Sequence, residues 1–201
     1  MPLSTSIPRR ALKHTRAIHI EAFVRDDELW ELDAHITDTK TRDIELSSGT
    51  LPAGQPLHSL WLRLTLDRQF TIVAVETHSE AAPYANECEI SPAYNRLIGL
   101  NLLKGFRYDL KQRMGGDKGC THLTELAQLL PTAAIQAFGG ERDSAGKSVF
   151  SIENQKPFQL DRCHALRTDG SVVAKFYPKW AVTHVEKEPL EVNLLEKEKS
   201  S

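Results

Sequence analysis

Cysteine is scarce in this chain, charge is nearly balanced, and long apolar runs are missing. Three cysteines in 201 residues make a low, odd count that fits free thiols in a reducing compartment. No run approaches the roughly 20 apolar residues of a membrane span, and residues 1–13 lack the apolar centre of a signal peptide. A formal net charge of −2 argues against a nucleic-acid binder with a basic face. These absences predict a cytoplasmic protein with neither a nucleic-acid nor a membrane partner.

Motifs of several common enzyme classes are absent as well. The sequence holds no G-x-x-x-x-G-K-[ST] phosphate loop, no dinucleotide-binding G-x-G-x-x-G and no G-x-S-x-G nucleophile elbow. Neither C-x-x-C nor H-x-x-x-H spacing occurs, so the strong zinc signatures are missing too. The composition, 40% apolar and 26% charged, is that of a globular protein that buries a sizeable core.

Alternating apolar and polar residues predict two β-hairpins in the first half of the chain. Residues 16–25 and 29–38 alternate on either side of a polar turn, and residues 58–67 and 70–77 do so around a second polar break. One face of the third run carries a row of leucines: Leu60, Leu62, Leu64 and Leu66. Such alternation is typical of half-buried strands in an antiparallel sheet.

Helical signals follow the second hairpin. Ser91 and Pro92 are typical of a helix start, and a second helix is expected from about residue 104 to 114, ending at a Gly-Gly pair. Apolar residues recur at helical spacing between Leu123 and Ala134. Pro131 is expected to kink or split this third helix.

Three shorter segments complete the prediction. Residues 43–46 are expected to extend the sheet, and residues 49–56, rich in Pro and Gly, to form a loop. Residues 158–165 and 171–177 are expected to form a final strand pair.

This order of strands, helices and strands predicts an α+β fold. We expect an antiparallel sheet of about five to seven strands packed against three to four helices. The expected organisation is a flexible arm over residues 1–13, one domain over residues 14–183, and a charged, disordered tail over residues 184–201.

The most distinctive segment is GCTHL at residues 119–123, which sets Cys120 and His122 two residues apart before a predicted helix. Inside a regular helix their side chains would point about 200° apart, so they converge only if Cys120 still lies in the preceding loop. Gly119 favours that geometry because glycine tolerates unusual backbone angles. Cys120 is then a candidate catalytic nucleophile, with His122 or His58 as its base.

Thiols and imidazoles elsewhere in the chain provide further ligands for a metal ion. Four residues form the candidate metal site: His58, Cys88, Cys120 and His122. Thiolate and imidazole ligands suit Zn or Fe. Cys163 and His164 form another adjacent pair, of which at most one enters a shared site, since neighbours on a strand face opposite sides. The alternative, in which the cysteines only fill core space, stays open.

Polar and aromatic residues of the strands are candidates for substrate chemistry. Asp38 and Lys40, at a strand end, act either as acid and base or as an exposed ion pair of little energetic value. Arg63, Trp61 and Tyr84 are candidates for binding an acidic or planar substrate. The alternatives are a solvated sheet face for Arg63 and core packing for the aromatic rings.

Several of these segments together resemble a known family. They are DTK at 38–40, PLH at 56–58, APY at 82–84 followed by Cys88, GCTHL at 119–123 and DRCHA at 161–165. Over about residues 16–180 the chain is similar to the bacterial family called domain of unknown function 2889. The resemblance implies no activity. It implies that the following residues belong to the family pattern: His58, Cys88, Cys120, His122, Cys163 and His164.

The sequence leaves three functions open. The first is a small cytoplasmic enzyme, a lyase or hydrolase acting on a small organic or aromatic acid, with Zn or Fe to polarise the substrate or activate water. The second is a non-catalytic carrier of a metal or an iron–sulfur cluster, because the order of hairpin, loop cysteine, helix and Cys/His pair also resembles iron–sulfur scaffold proteins. The third is an interaction domain with buried cysteines. A small-molecule substrate is the expected partner of the enzyme, and a homodimer is an expected assembly.

Overall fold

The structure is a computed structural model that describes residues 9–84, 91–141 and 155–182. The chain divides into two compact units, Met1–Glu141 and Arg142–Ser201. The predicted limits of an arm, one domain and a tail stay predictions, because residues 1–8 and 183–201 lie outside the described part of the chain.

Six strands among the described residues confirm both predicted hairpins and the α+β class. They are β1 His14–Val24, β2 Trp30–Lys40, β3 Ile44–Leu46, β4 Gly49–Leu51, β5 Pro56–Leu66 and β6 Ile72–Ala81. Four of them form an antiparallel sheet in the order β1-β2-β5-β6, whereas β3 and β4 pair with each other. The prediction that residues 43–46 extend the main sheet is therefore wrong, and part of the predicted 49–56 loop is a strand. Pairing between β3 and β4 satisfies their backbone groups locally.

One face of the four-stranded sheet carries the core of the first unit. Every second residue of β2 is buried, and so is the leucine row of β5. The buried apolar side chains of these strands are Trp30, Leu32, Ala34, Ile36, Leu60, Leu62, Leu64 and Leu66. Asp38 and His58 continue these two rows beyond the apolar residues and lie directly opposite each other in the β2–β5 pairing.

The helices confirm two predictions and correct others. They are α1 Phe106–Met114, α2 Thr121–Phe138 and α3 Ser171–Phe176, with 3₁₀ turns at Ser91–Leu97, Gly116–Lys118, His164–Leu166 and Pro178–Trp180. The segment that begins at Ser91 is thus a 3₁₀ helix. None of the helices in the described residues has both the length and the apolar character of a membrane span.

One alternative for Pro131 and the expected final strand pair are wrong. Helix α2 runs through Pro131 without being split, because the buried face of its other residues outweighs the one hydrogen bond that proline cannot donate; a kink at Pro131 stays a prediction. Residues 158–165 contain no strand, and most of residues 171–177 form α3. Val172 and Val173 favour a strand, but they lie in α3. Their preference takes effect only where a neighbouring strand is present to pair with.

Candidate metal centre

Asp38, His58 and His122 meet where the core face of the sheet adjoins the start of α2. Each offers one ligand atom, and these atoms all lie within 4.8 Å of one another. Oδ2 of Asp38 lies 3.3 Å from Nδ1 of His58 and 3.7 Å from Nε2 of His122. We call these three residues the Asp/His cluster.

Two of the three donor separations in the cluster suit a single metal ion, while the His58 and His122 rings lie against each other with centroids 3.9 Å apart and planes 35° from parallel. Two donors that bind one ion at about 2.0–2.2 Å with tetrahedral angles lie roughly 3.3–3.6 Å apart. The 3.3 Å and 3.7 Å separations from the Asp38 carboxylate are close to this range. Two imidazoles and one carboxylate are also a donor set that Zn and Fe(II) accept.

Asp38 is the charged member of the cluster and is only 2% exposed. Arg16 donates two hydrogen bonds of 2.9 Å to the Asp38 carboxylate, one to each oxygen. Nε2 of His14 donates a third, to Oδ1, over 2.7 Å. Burial by itself raises the pKa of Asp38, but the hydrogen bonds from Arg16 and His14 outweigh it and hold the pKa at about 2. Arg16 also donates to Glu125 of α2 over 2.6 Å, so strand and helix are joined beside the cluster.

His58 offers an unused nitrogen to the cluster. Its Nδ1 is buried, and the contact with Asp38 lacks hydrogen-bond geometry, so none of the described residues forms a hydrogen bond with it. Burial lowers the pKa of His58, and the neighbouring His122 acts in the same direction. The imidazole is therefore neutral near pH 7, the form that binds metal ions. A buried polar atom without a partner costs about 1–3 kcal/mol, a cost that a bound ion would remove.

The start of α2 brings His122 to the sheet. Cys120 is the N-cap residue, with extended backbone angles of φ −74° and ψ 130°, so it lies in the loop as the sequence requires. Its carbonyl accepts hydrogen bonds from the Tyr94 hydroxyl and the Thr124 amide, each over 2.9 Å. Because Tyr94 is fully buried, this end of the helix is tied to the core.

Sγ of Cys120 lies 3.9 Å from Nδ1 of His122, whereas the other ring nitrogen, Nε2, faces Asp38. Among the described residues, the third member of the cluster is therefore Asp38 and not Cys120. The predicted role of Cys120 as a metal ligand, and those of Asp38 and Lys40 in proton transfer, stay predictions.

Gly119 is required for a reason other than the predicted one. Its φ of −152° is extended backbone that any residue adopts. A Cβ at this position would instead lie 2.8 Å from the carbonyl oxygen of Met114 and 3.0 Å from the Met114 methyl carbon. The loop before Cys120 therefore packs too closely on the end of α1 for a side chain.

The predicted substrate residues do not join the cluster. Arg63 and Trp61 lie on the other face of the sheet, where Arg63 forms two 2.6 Å hydrogen bonds with Asp33 and Trp61 stacks on His35. Tyr84 is 64% exposed. Among the described residues, no hydrogen bond or ion pair joins the Lys40 side chain to the Asp/His cluster. The Arg63 side chain is 40% exposed beside Asp33, and the predicted substrate-binding roles of Arg63, Trp61 and Tyr84 stay predictions.

The remaining cysteines have separate positions. Cys88 lies outside the described residues, so its part in the predicted metal site stays a prediction. Cys163 is exposed, and His164 contacts Arg167; both residues belong to the second unit.

Sequence reasoning missed Arg16, His14 and Glu125, which orient the cluster. The β1–β2 pairing sets Arg16 opposite Asp38, and this register is not readable from either run alone. A signal for Asp38 was present, however. It is in phase with the buried residues of β2, and a carboxylate in a core row needs charged or metal partners.

A family model described as "Protein of unknown function (DUF2889)" matches residues 14–136. No curated protein and no solved structure matches the chain. The matched segment contains all three residues of the Asp/His cluster.

Proposed function

The chain belongs to the DUF2889 family of proteins of unknown function, and we propose that it is a metal-dependent enzyme of the hydrolase or lyase type. The convergence of Asp38, His58 and His122 within 4.8 Å carries this proposal. Three protein ligands leave positions on the ion for water or substrate, whereas structural zinc sites are closed by four. The chemistry that a bound Zn or Fe ion supplies is polarisation of a carbonyl or activation of water.

The surroundings of the cluster favour a small organic acid as substrate. The start of β1 and the end of β2 run side by side next to Asp38. Basic residues dominate these strand ends and the turns beside them: Lys13, His14, Arg16, Lys40 and Arg42. Since the acidic residues Asp38, Asp43 and Glu125 neutralise only part of this charge, the local potential attracts an anion. The side chains of Arg16 and His122 are 34% and 23% exposed, so solvent reaches the site.

A thiol enzyme is the second candidate, and one observation favours it. Cys120, His122 and Asp38 follow one another in the order thiol, imidazole, carboxylate, with separations of 3.9 Å and 3.7 Å. This is the order of a nucleophile, its base and the group that orients the base. An iron–sulfur carrier fits less well, because such clusters are held mainly by thiolates and the Asp/His cluster has none.

Metal titration of the apoprotein tests the first candidate. We expect one equivalent of Zn²⁺ or Co²⁺ per chain, and we expect His122→Ala to weaken binding more than about 100-fold, since loss of an outer-shell partner alone costs about 10–100-fold. His78→Ala is the matched control, because His78 is exposed on the other face of the same sheet.

Visible spectra of the cobalt form decide which residues bind. A carboxylate and two imidazoles give no sulfur-to-cobalt charge-transfer band, and Cys120→Ala is expected to leave the spectrum nearly unchanged. A strong charge-transfer band that disappears in Cys120→Ala would instead support the original Cys/His metal set.

Turnover is measured with a panel of esters, lactones, amides and hydroxy acids. Activity that is removed by a chelator, restored by metal and lost in His122→Ala supports the enzyme. Activity without metal that depends on Cys120 supports the thiol candidate, and tight metal binding without turnover supports a carrier.

A further inference from the structure

Strand β1 is an open edge of the main sheet. Its 11 residues pair with β2 in an unbroken register, and no other described strand pairs with it. The strand contains no Pro, no Gly and no bulge. Proline and bulges are features that keep the edge strands of natural proteins from pairing with another chain. The backbone N–H and C=O groups of β1 that point away from β2 pair with no other described strand and are therefore available to a further strand.

An apolar strip lies along this edge on the core face of the sheet. Ile18, Ile20, Ala22 and Val24 stand opposite core residues of β2 in the pairing. Nevertheless, Ile18 is 38% and Val24 57% exposed. Within the described residues, the core face thus continues to the edge without a cover, although the equivalent positions of β2 are buried.

We propose that a second copy of this chain pairs with β1 in antiparallel fashion, about a two-fold axis that passes through Ile20 perpendicular to the sheet. The two four-stranded sheets would then form one sheet of eight strands with both core faces on the same side. Self-complementary pairing of one patch is the usual form of a homodimer interface.

Charge complementarity sets this register. With the axis at Ile20, His19 lies opposite Glu21 of the partner subunit, and the reverse contact repeats it. An axis at His19 would set His19 opposite His19 of the partner subunit, and an axis at Glu21 would set Glu21 opposite Glu21 of the partner subunit. Like charges in such pairs are destabilising. The same register sets Ile18 opposite Ala22 of the partner subunit and thereby covers the apolar strip.

The proposed contact borders the Asp/His cluster without entering it. Arg16 lies on the same strand and face and would stand opposite Val24 of the partner subunit. The dimer is independent of the proposed chemistry, because no residue of the strip holds a metal ion.

Light scattering on the full chain tests the dimer and its register together. The expected mass is twice the 22.6 kDa of one chain. In His19→Glu each of the two His19–Glu21 contacts between the subunits becomes a contact between two glutamates, so we expect the dimer dissociation constant to rise about tenfold or more. The double variant His19→Glu/Glu21→His exchanges the two residues and is expected to restore the wild-type value. Both side chains are more than half exposed, so folding is preserved.

Cysteine cross-linking gives a second readout. Residues directly opposite in an antiparallel pair have Cα atoms about 4.5–5.5 Å apart, within the range of a disulfide. Ile20→Cys is expected to form a covalent dimer under mild oxidation. Ile18→Cys is the matched control, because its two copies would be about 14 Å apart. The wild type under the same oxidant shows the contribution of the native cysteines.

A monomer at concentrations of about 100 μM, or a dimer in which His19→Glu and the double variant behave alike, would overturn the proposal. Hydrogen exchange on a monomer then identifies the alternative occupant. Protection of residues 16–24 that is lost when residues 142–201 are removed would assign the strip to the second unit of the same chain.

Discussion

Asp38 illustrates how one residue connects the core with the chemistry of the site. A buried carboxylate is tolerated only when charged or hydrogen-bonding partners replace water, and Arg16 and His14 do this for Asp38. Both of its oxygens are oriented by these partners, while Oδ2 also faces His58 and His122. The carboxylate is therefore ionised and held in place before any ligand arrives.

The stability of the apoprotein is expected to depend on Asp38 at acid pH. Its folded pKa of about 2 lies below the ordinary value of 3.8, so ionised Asp38 stabilises the fold above pH 4. This contribution, about 2 kcal/mol, is lost as the pH falls from 4 to 2. Urea unfolding at several pH values measures it.

The comparison variant for this prediction is Asp38→Asn, which cannot ionise. Its free energy of unfolding should decline less steeply than that of the wild type between pH 4 and pH 2. Parallel curves for the two proteins would contradict the assigned pKa.

Helix α2 is the element that completes the cluster, and its first turn is positioned from two sides. Tyr94 binds the Cys120 carbonyl from the core, and Gly119 packs on the backbone at Met114. Arg16 and Glu125 link the next turn to β1. These tertiary contacts of the helix place His122, and its ring then lies against that of His58 with centroids 3.9 Å apart.

Gly119→Ala is expected to displace this element. The new methyl group would lie 2.8 Å from the Met114 carbonyl oxygen, so the loop must shift, at a cost of about 1–3 kcal/mol. Metal affinity should fall as well, because His122 moves with the loop. Thermal unfolding and metal titration report the two effects.

Gly140→Ala is the matched control, since a Cβ there meets no atom within 4 Å. Equal stability and metal affinity for the two alanine variants would show that the close packing at Gly119 is unimportant.

At the scale of the whole molecule, the main sheet and the cluster belong to one unit. The Asp/His cluster, the four-stranded sheet, α1 and α2 all lie within Met1–Glu141. The family match over residues 14–136 ends within the same unit. The first unit therefore contains all three residues of the proposed metal site.

A chain that ends after Glu141 is expected to fold cooperatively and to bind one metal ion with the affinity of the full chain. Circular dichroism and metal titration of the truncated protein check this. Loss of metal binding in a folded truncated protein would show that residues 142–201 contribute a ligand.

Period-two patterns in the sequence predicted the two hairpins of the main sheet correctly, because each strand's alternation depends only on which of its faces meets the core. The same local logic predicted the start of α2 at the Cys120–His122 segment. It failed for residues 43–46, which pair outside the main sheet, and for residues 171–177, where strand formers occur without a partner strand. It also left open whether Pro131 kinks or splits α2, because that depends on the packing of the entire helix.

The sequence by itself determined the α+β class and the two hairpins, and it identified His58 and His122 as candidate ligands. Only the tertiary structure decided the membership of the site. The strand register sets Asp38 opposite His58 and beside Arg16, and the packing of α2 brings His122 to them. It also separated Arg63 and Trp61 from the cluster, because alternate residues of one strand face opposite sides of a sheet. Spacing along a chain identifies candidate ligands, but their distances depend on pairing between elements far apart in sequence.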